Sequence, residues 1–403
     1  MTKIRKVCVL WGRFGPYHLA RLDALRSYLA ARGAELAAIE TASADETYAV
    51  WSRSHGDHLT LFPGRTFEDV PGPEMEAAVR AALDRIAPDA VAVPSYSSSD
   101  SRAALAWCRR RRKVAVMLFD SRRADAARSG WREAVKRALV RQFDAALVAG
   151  TPQRAYARDL GVPEAHIFQP LDVVDNDRFA RAAAQARALR ADDDTLRFLT
   201  VARLTPVKGV DVLLDAYAKY RAAVPDPWEL SVVGDGPERE RLEARAGEGV
   251  TFAGFVEGDA LAWWYGRADA LVLPSRKDTW GLVVNEAMAA GLPVVVSDGA
   301  GCCIDLVDEG ANGCAVPGGD PAALADRLAQ VARLSSRERG AFGRRSAEIV
   351  GSFGLDAFCD GLWSAVLSGR DRADRGLAPS AATVLGALRL AARRPDAFIA
   401  IPD

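Results

Sequence analysis

The sequence predicts an α/β protein made of two parallel-sheet domains in series. Three observations carry that expectation. The chain has 403 residues, more than one hydrophobic core usually organises. Strand and helix signals alternate through both halves, the pattern of crossovers onto a parallel sheet. The stretch from Leu271 to Asp298 (LVLPSRKDTWGLVVNEAMAAGLPVVVSD) reads as a strand, helix and strand in direct succession.

In the first half, Val7 to Trp11 forms a buried strand, then a Gly-bearing turn (Gly12 to Pro16) and a helix to about Arg32. The alternation continues with Glu35–Glu40, His58–Phe62, Glu74–Ile86, Ala90–Val93, Ser101–Arg111 and Val114–Phe119. It closes with the strand in AALVAG (Ala145–Gly150) and a short helix after Thr151; Ser43–Trp51 reads as irregular or helical. The second series runs Leu196–Ala202, Val210–Arg221, Glu229–Val233, Glu238–Ala246 and Val250–Phe252.

In the central unit, the apolar run Ala270–Leu273 is a buried strand closed by Pro274 and Ser275. The loop Arg276-Lys277-Asp278 leads to a helix with Thr279 as its expected N-cap. Val283, Val284, Ala287 and Met288 share the inward face, Gly291 stops the helix, and Val294–Val296 is the next strand. Asn312–Val316 follows, then a helix capped by Asp320 with Pro321 at its first position.

Asp278 and Glu286 invite a glycosidase reading, an acid paired with a base. If the segment between them is helical, a rise of ~1.5 Å per residue sets their Cα atoms about 12 Å apart. Carboxylates acting on one glycosidic bond lie about 5 to 9.5 Å apart. Two acids holding different parts of an extended ligand fit better. The plain alternative is Asp278 favouring the helix N-terminus and Glu286 on a solvated face.

Lys+Arg and Asp+Glu both total 53, so no global charge points to nucleic acid. The six cysteines show no CxxC spacing, which suits a reduced cytoplasmic setting better than a disulfide framework. The N-terminus passes from Lys3-Ile4-Arg5-Lys6 into a strand too short for a signal peptide, and no apolar run reaches ~18 residues. Thr383–Arg394 (TVLGALRLAARR) is basic and amphipathic; a docked terminal helix outranks contact with a membrane or partner. The run Arg109–Lys113 (RRRRK) reads as a basic helix terminus, an anionic lipid or acceptor contact being the lesser reading.

PSRKDTWGLVVNEAMAAGLPVVVSD resembles the signature of family 4 retaining glycosyltransferases, whose pattern is Glu, seven residues, Glu. This chain keeps the second acid as Glu286 and has Asp278 at the first position. The resemblance implies the GT-B fold, two Rossmann-like parallel-sheet domains facing a cleft that closes around the donor. It implies an acceptor-side domain at 1–172, a linker at 173–195 including a helix at Arg178–Arg190, and a donor-side domain at 196–352. Phe168–Phe179 would join the domains, and the segment 353–403, with a helix at Gly354–Leu367, would cross back to the first. In the family the second acid holds the ribose of a nucleotide sugar and the first contacts the sugar, roles that fall to Glu286 and Asp278. Gly281, Leu282 and Val283 would line the donor beside them.

Ligands of an open parallel sheet bind beyond the carboxyl ends of its strands, where Arg203 follows Leu196–Ala202. Arg203 and Lys208 (RLTPVKG) together suit a diphosphate and match the family's phosphate clamp; otherwise they are two solvated basic residues. Gly234 (GDGP) would let backbone approach the nucleotide or make a plain turn, and by resemblance Phe255-Val256 comes near the base. Gly15 would open the first turn so that a backbone N–H and a helix N-terminus face donor phosphate, with His18 as an acceptor contact or a structural residue. Asp120, at the end of Val114–Phe119, would bind sugar or acceptor, or cap the next segment with Ser121. The N–H groups of Gly299–Asp305 could also meet phosphate; Cys302 and Cys303, being adjacent, make poor joint zinc ligands.

The expected function is retaining transfer of a sugar from a nucleotide-diphosphate donor, UDP-sugar ahead of GDP-sugar, to a hydroxyl of a glycan, a lipid-linked glycan or a small molecule. No metal and no further cofactor is expected. The expected location is cytoplasmic, with peripheral contact at the inner membrane face left open. The rivals are a GT-B nucleotide-sugar epimerase and a non-catalytic nucleotide- or glycan-binding relative. An NAD-dependent dehydrogenase is disfavoured because GDGP lacks the full GxGxxG fingerprint.

Overall fold

The structure, a computed structural model, describes residues 3–46, 56–126, 130–190 and 195–373. Contacts divide the chain into two compact units: the residues up to Asp172 together with those from Leu355 onward, and Val173–Gly354.

The first unit alternates β1 (Lys6–Trp11), α1 (Pro16–Ala30), β2 (Glu35–Ala44), β3 (Leu59–Thr66), α2 (Gly72–Ile86), β4 (Ala90–Pro94), α3 (Ser99–Arg111) and β5 (Val114–Phe119). It continues through α4 (Gly130–Val140), β6 (Ala145–Val148), α5 (Thr151–Asp159) and β7 (Ile167–Phe168). All seven strands are parallel, in the order β3-β2-β1-β4-β5-β6-β7. The inner strands are buried on both faces, which explains their unbroken apolar runs such as VAVMLF in β5.

The second unit opens with α6 (Asn176–Ala188), then β8 (Arg197–Val201), α7 (Val210–Ala223), β9 (Glu229–Val233), α8 (Arg239–Arg245), β10 (Val250–Gly254), α9 (Gly258–Arg267) and β11 (Ala270–Leu273). It ends with α10 (Leu282–Ala289), β12 (Val294–Ser297), α11 (Cys303–Leu306), β13 (Gly313–Val316), α12 (Pro321–Ala332) and α13 (Ser336–Val350). Its strand order is β10-β9-β8-β11-β12-β13, so the winding reverses between β8 and β11. The helix α14 (Leu355–Ala373) belongs to the first unit, where it packs on β5, β6, β7 and α1.

Several expectations are corrected. The helices α4, α9, α11 and α13 and the short strand β7 were not anticipated. The helix expected at Arg178–Arg190 is α6, packed on α9 and α10 within the second unit. Asp320 caps α12 through the N–H groups of Ala322 and Ala323, as its sequence predicts. The RRRRK run is mostly spent internally: Arg109 is buried on Asp144, Arg111 pairs with Asp84 and Lys113 with Asp89. Part of Ser43–Trp51 and all of Thr383–Arg394 lie outside the described residues.

Candidate functional site

Ligands of a doubly wound sheet sit beyond the strand ends at the point where the strand order reverses. In the second unit that point is flanked by the loops after β8 and β11. The first holds Arg203, exposed, then a 3-10 turn (Pro206–Lys208) and Gly209. The second holds Arg276 to Asp278. The loops are laced together: Arg276 N–H donates to the Val207 carbonyl at 2.8 Å, and its guanidinium grips both oxygens of Asp211 at 2.7 and 2.8 Å. That guanidinium holds the Asp211 carboxyl below the usual carboxylate range. Lys208 Nζ lies 2.6 Å from Asp278 Oδ2.

Glycine is required at two places here. Gly209 has φ +67°, and a Cβ on it would lie 2.3 Å from the Pro274 carbonyl oxygen. Gly234, at φ +137°, would place a Cβ 1.8 Å from the Ala202 oxygen. The close backbone approach that Gly234 permits is therefore first to the loop after β8. Val256 lies two residues beyond β10, partly exposed.

The segment around Asp278 departs from expectation. The helix α10 begins at Leu282 with Gly281, φ +104°, at its N-cap, in place of Thr279. Residues 278–281 are not helical, so the ~1.5 Å rise does not apply between the two acids as assumed. Asp278 instead runs beside the loop after β12: its N–H donates to the Gly299 carbonyl, and Gly301 N–H donates to its own carbonyl, each at 3.0 Å. Cys302 N–H donates to the Trp280 carbonyl. The N–H groups of Gly299, Ala300, Gly301, Cys302, Cys303 and Asp305 are thus spent on protein partners, which overturns their expected phosphate role. Leu282 and Val283, partly exposed, stand in the first turn of α10, whose leading N–H groups lack helical acceptors.

Glu286 is not on a solvated face. It is 0% exposed and accepts a hydrogen bond from the Tyr265 hydroxyl of α9 at 2.5 Å. Sequence reasoning missed Tyr265 because α9 itself was not anticipated. It also missed the buried Trp280, whose Nε1–H donates to Asn285 at 2.9 Å and locks the start of α10.

Residues 195–333 match the family model described as Glycosyl transferases group 1. That segment is similar to a group 1 glycosyltransferase domain. Among similar proteins, a D-inositol 3-phosphate glycosyltransferase of Catenulispora acidiphila is 36% identical over 232 residues, covering 52% of this chain and 53% of that protein. One from Geodermatophilus obscurus is 36% identical over 209 residues, covering 48% and 45%. The chain spans about half the length of these curated relatives. Sucrose-phosphate synthase of Thermosynechococcus elongatus superposes with TM-score 0.69 at 22% identity, over 89% of this chain and 97% of that one. The Anabaena protein HepE, solved in complex with UDP and glucose, gives TM-score 0.67 at 17% identity, over 90% and 100%. These likenesses establish the GT-B fold.

The matched segment thus contains Arg203, Lys208, Gly234, Val256, Asp278, Gly281, Leu282, Val283 and Glu286, and brings Lys208 and Asp278 into contact. The other expected residues lie in the first unit. There the turn after β1 is held from within: Phe14 N–H donates to Glu40 at 2.9 Å, and Gly15 N–H donates to His18 Nδ1 at 3.1 Å. The Gly15 donor expected to meet phosphate is spent. His18 therefore carries its proton on Nε2, and burial, with Arg21 beside it, lowers its pKa to about 3. Glu40 is 2% exposed and also accepts a hydrogen bond from Thr60, with His58 Nε2 3.4 Å from its carboxylate. An acid inside the strand run Glu35–Glu40 was the one signal for it in the sequence.

Asp120 caps nothing: the 3-10 turn that follows (Arg123–Asp125) has Arg122 at its N-cap, closed by Asp125. As a residue Asp120 is exposed. The protein packed around its carboxyl, and next the carboxylate of Asp172, push its pKa up to about 7. The nearby cation, Arg21, already pairs with Asp172 at 3.4 Å, which leaves the Asp120 carboxylate less compensated. Arg21, Asp120 and Asp172 form a charged cluster beside His18 of which only Asp120 and His18 were anticipated.

Proposed function

We propose that the protein is a retaining glycosyltransferase that moves a sugar from a nucleoside-diphosphate donor to an acceptor hydroxyl. The observation that carries this reading is the meeting of Lys208, on the same loop as Arg203, with Asp278 at 2.6 Å, at the switch point of the second unit's sheet. In the proposal Arg203 and Lys208, in place of a metal ion, neutralise the departing diphosphate, and the amides of Leu282 and Val283 assist at the start of α10. Asp278 and the backbone at Gly281 meet the sugar, and Glu286 meets the ribose, with Gly234 and Val256 beside the nucleotide. Asp120 and His18 of the first unit contact sugar or acceptor. The acceptor hydroxyl attacks on the face the nucleotide leaves, and a phosphate oxygen takes its proton. UDP-sugar is the first donor to try, supported by the UDP and glucose held by the Anabaena neighbour, and GDP-sugar is the second. No helix among the described residues is long and apolar enough to cross a membrane.

The test is a thermal-shift panel of UDP, GDP, ADP, TDP and NAD, followed by calorimetry and product analysis with the matching sugar nucleotides. One nucleoside diphosphate is expected to stabilise the protein. Arg203→Ala and Glu286→Ala are each expected to cut donor binding or turnover more than about tenfold. Stabilisation by NAD alone, or normal kinetics in both folded variants, would sink the assignment. Donor conversion without acceptor would replace transfer by epimerisation.

A further inference from the structure

A cavity of about 240 Å³ opens on the second unit at the opposite end of its strands from Arg203 and Asp278. It is lined from Arg197, the first residue of β8, and Glu229, the first of β9, whereas the proposed donor loops follow the last residues of β8, β9 and β11. Strand alternation builds its floor. The parallel register pairs Arg197 with Glu229, Leu199 with Ser231, and Ser231 with Thr251, so these side chains stand on one face of the sheet. Their neighbours Phe198, Leu230 and Val232 point into the core on the other face. The last turns of α9 form the wall with Trp263, Trp264 and Arg267.

The chemistry of the lining selects a ligand. Trp263 is 38% exposed, has the Arg267 guanidinium 4.8 Å from its ring centroid, and meets Trp264 edge to face at 5.3 Å and 86°. Ser231 is only 6% exposed, and its hydroxyl has no hydrogen-bond partner among the described residues. Arg197 and Glu229, paired at 3.3 Å, present donors and an acceptor side by side. A wholly apolar ligand would bury the Ser231 hydroxyl unpaired, at a cost of about 1–3 kcal/mol. An anion would meet the half-exposed Glu229 carboxylate. A ring with C–H groups on one face and hydroxyls around its edge satisfies all three surfaces. We infer that this cavity binds one pyranose unit of a glycan, at a site separate from the proposed donor loops.

The inference stands whether or not transfer takes place in the matched segment. Saturation-transfer NMR on the full chain would use methyl α-D-glucopyranoside, methyl α-D-mannopyranoside and methyl β-D-galactopyranoside, with UDP present in excess. At least one glycoside is expected to receive magnetisation on its ring C–H protons. Trp263→Ala and Ser231→Val are each expected to weaken that binding at least about fivefold, while UDP affinity stays at the parental value. Trp263 is exposed, so its truncation keeps the test alive should Ser231→Val fail to fold. No transfer to any glycoside, binding unchanged in Trp263→Ala, or a site that takes uridine and no glycoside would overturn the inference.

Discussion

Lys208 and Asp278, seventy positions apart, form a 2.6 Å ion pair that ties the loop after β8 to the loop after β11. The cation proposed for diphosphate and the acid proposed for sugar are thus each other's partners. Binding a donor exchanges part of this pair for charge-assisted bonds to phosphate, each worth about 1.5–3 kcal/mol.

Asp278→Asn should therefore separate two readouts. Turnover is expected to fall more than about tenfold, because the sugar loses its carboxylate. Affinity for free UDP should hold or rise, since Lys208 is released to the diphosphate. Calorimetry with UDP beside steady-state kinetics checks this, and a parallel loss in both would show that Asp278 serves mainly to shape the loop.

Glu286 and Tyr265 call for a paired substitution. Glu286→Ala removes the acceptor of a buried hydroxyl, and an expected cost of about 1–3 kcal/mol should lower the melting temperature. Tyr265→Phe removes only the donor. If Tyr265 positions Glu286, Tyr265→Phe should weaken donor binding several-fold while leaving the fold intact by circular dichroism.

Gly234→Ala should be among the most damaging one-methyl changes in the chain. The added Cβ would lie 1.8 Å from the Ala202 oxygen at a φ of +137°, so the loop after β8 must move. Backbone strain of this kind costs about 1–3 kcal/mol. Thermal melts should show a clear drop, and Arg203, one residue beyond Ala202, should lose its grip on nucleotide in the same variant.

Asp120 makes a pH prediction with a definite sign. The protein packed around its carboxyl and the Asp172 carboxylate raise it from 3.8 to about 7, so the unfolded chain releases this proton well before the folded one. Its contribution to stability is fully present below about pH 4 and is lost as pH rises towards 7. The melting temperature of Asp120→Asn relative to the parent should therefore climb across that window. A carboxyl carbon-13 titration should place the Asp120 midpoint near 7 and move it down in Asp172→Asn; a midpoint near 4 in the parent would refute the shift.

Much was legible in the sequence because it is local. Apolar runs such as VAVMLF and LVLP announced buried parallel strands, Asp320-Pro321 announced a capped helix, and RLTPVKG and NEAM stood where their spacing within each strand–loop–helix unit required. What stayed hidden depends on packing between distant segments. Tyr265 of α9 lies 21 positions from Glu286 and meets it only through packing, so the two could not be matched beforehand. Arg109 read as one more member of a basic run until Asp144 received it in the interior, where removing the Arg would cost about 3–5 kcal/mol. The backbone donors of Gly15 and of the loop after β12 looked free because sequence shows which N–H groups exist and not which carbonyls or rings reach them. By itself the sequence determined the alternation, the domain class and the residue types at the strand ends. The tertiary structure alone decided which of those residues meet, because hydrogen bonds and ion pairs are satisfied through space by whichever partner the packing brings within about 3 Å.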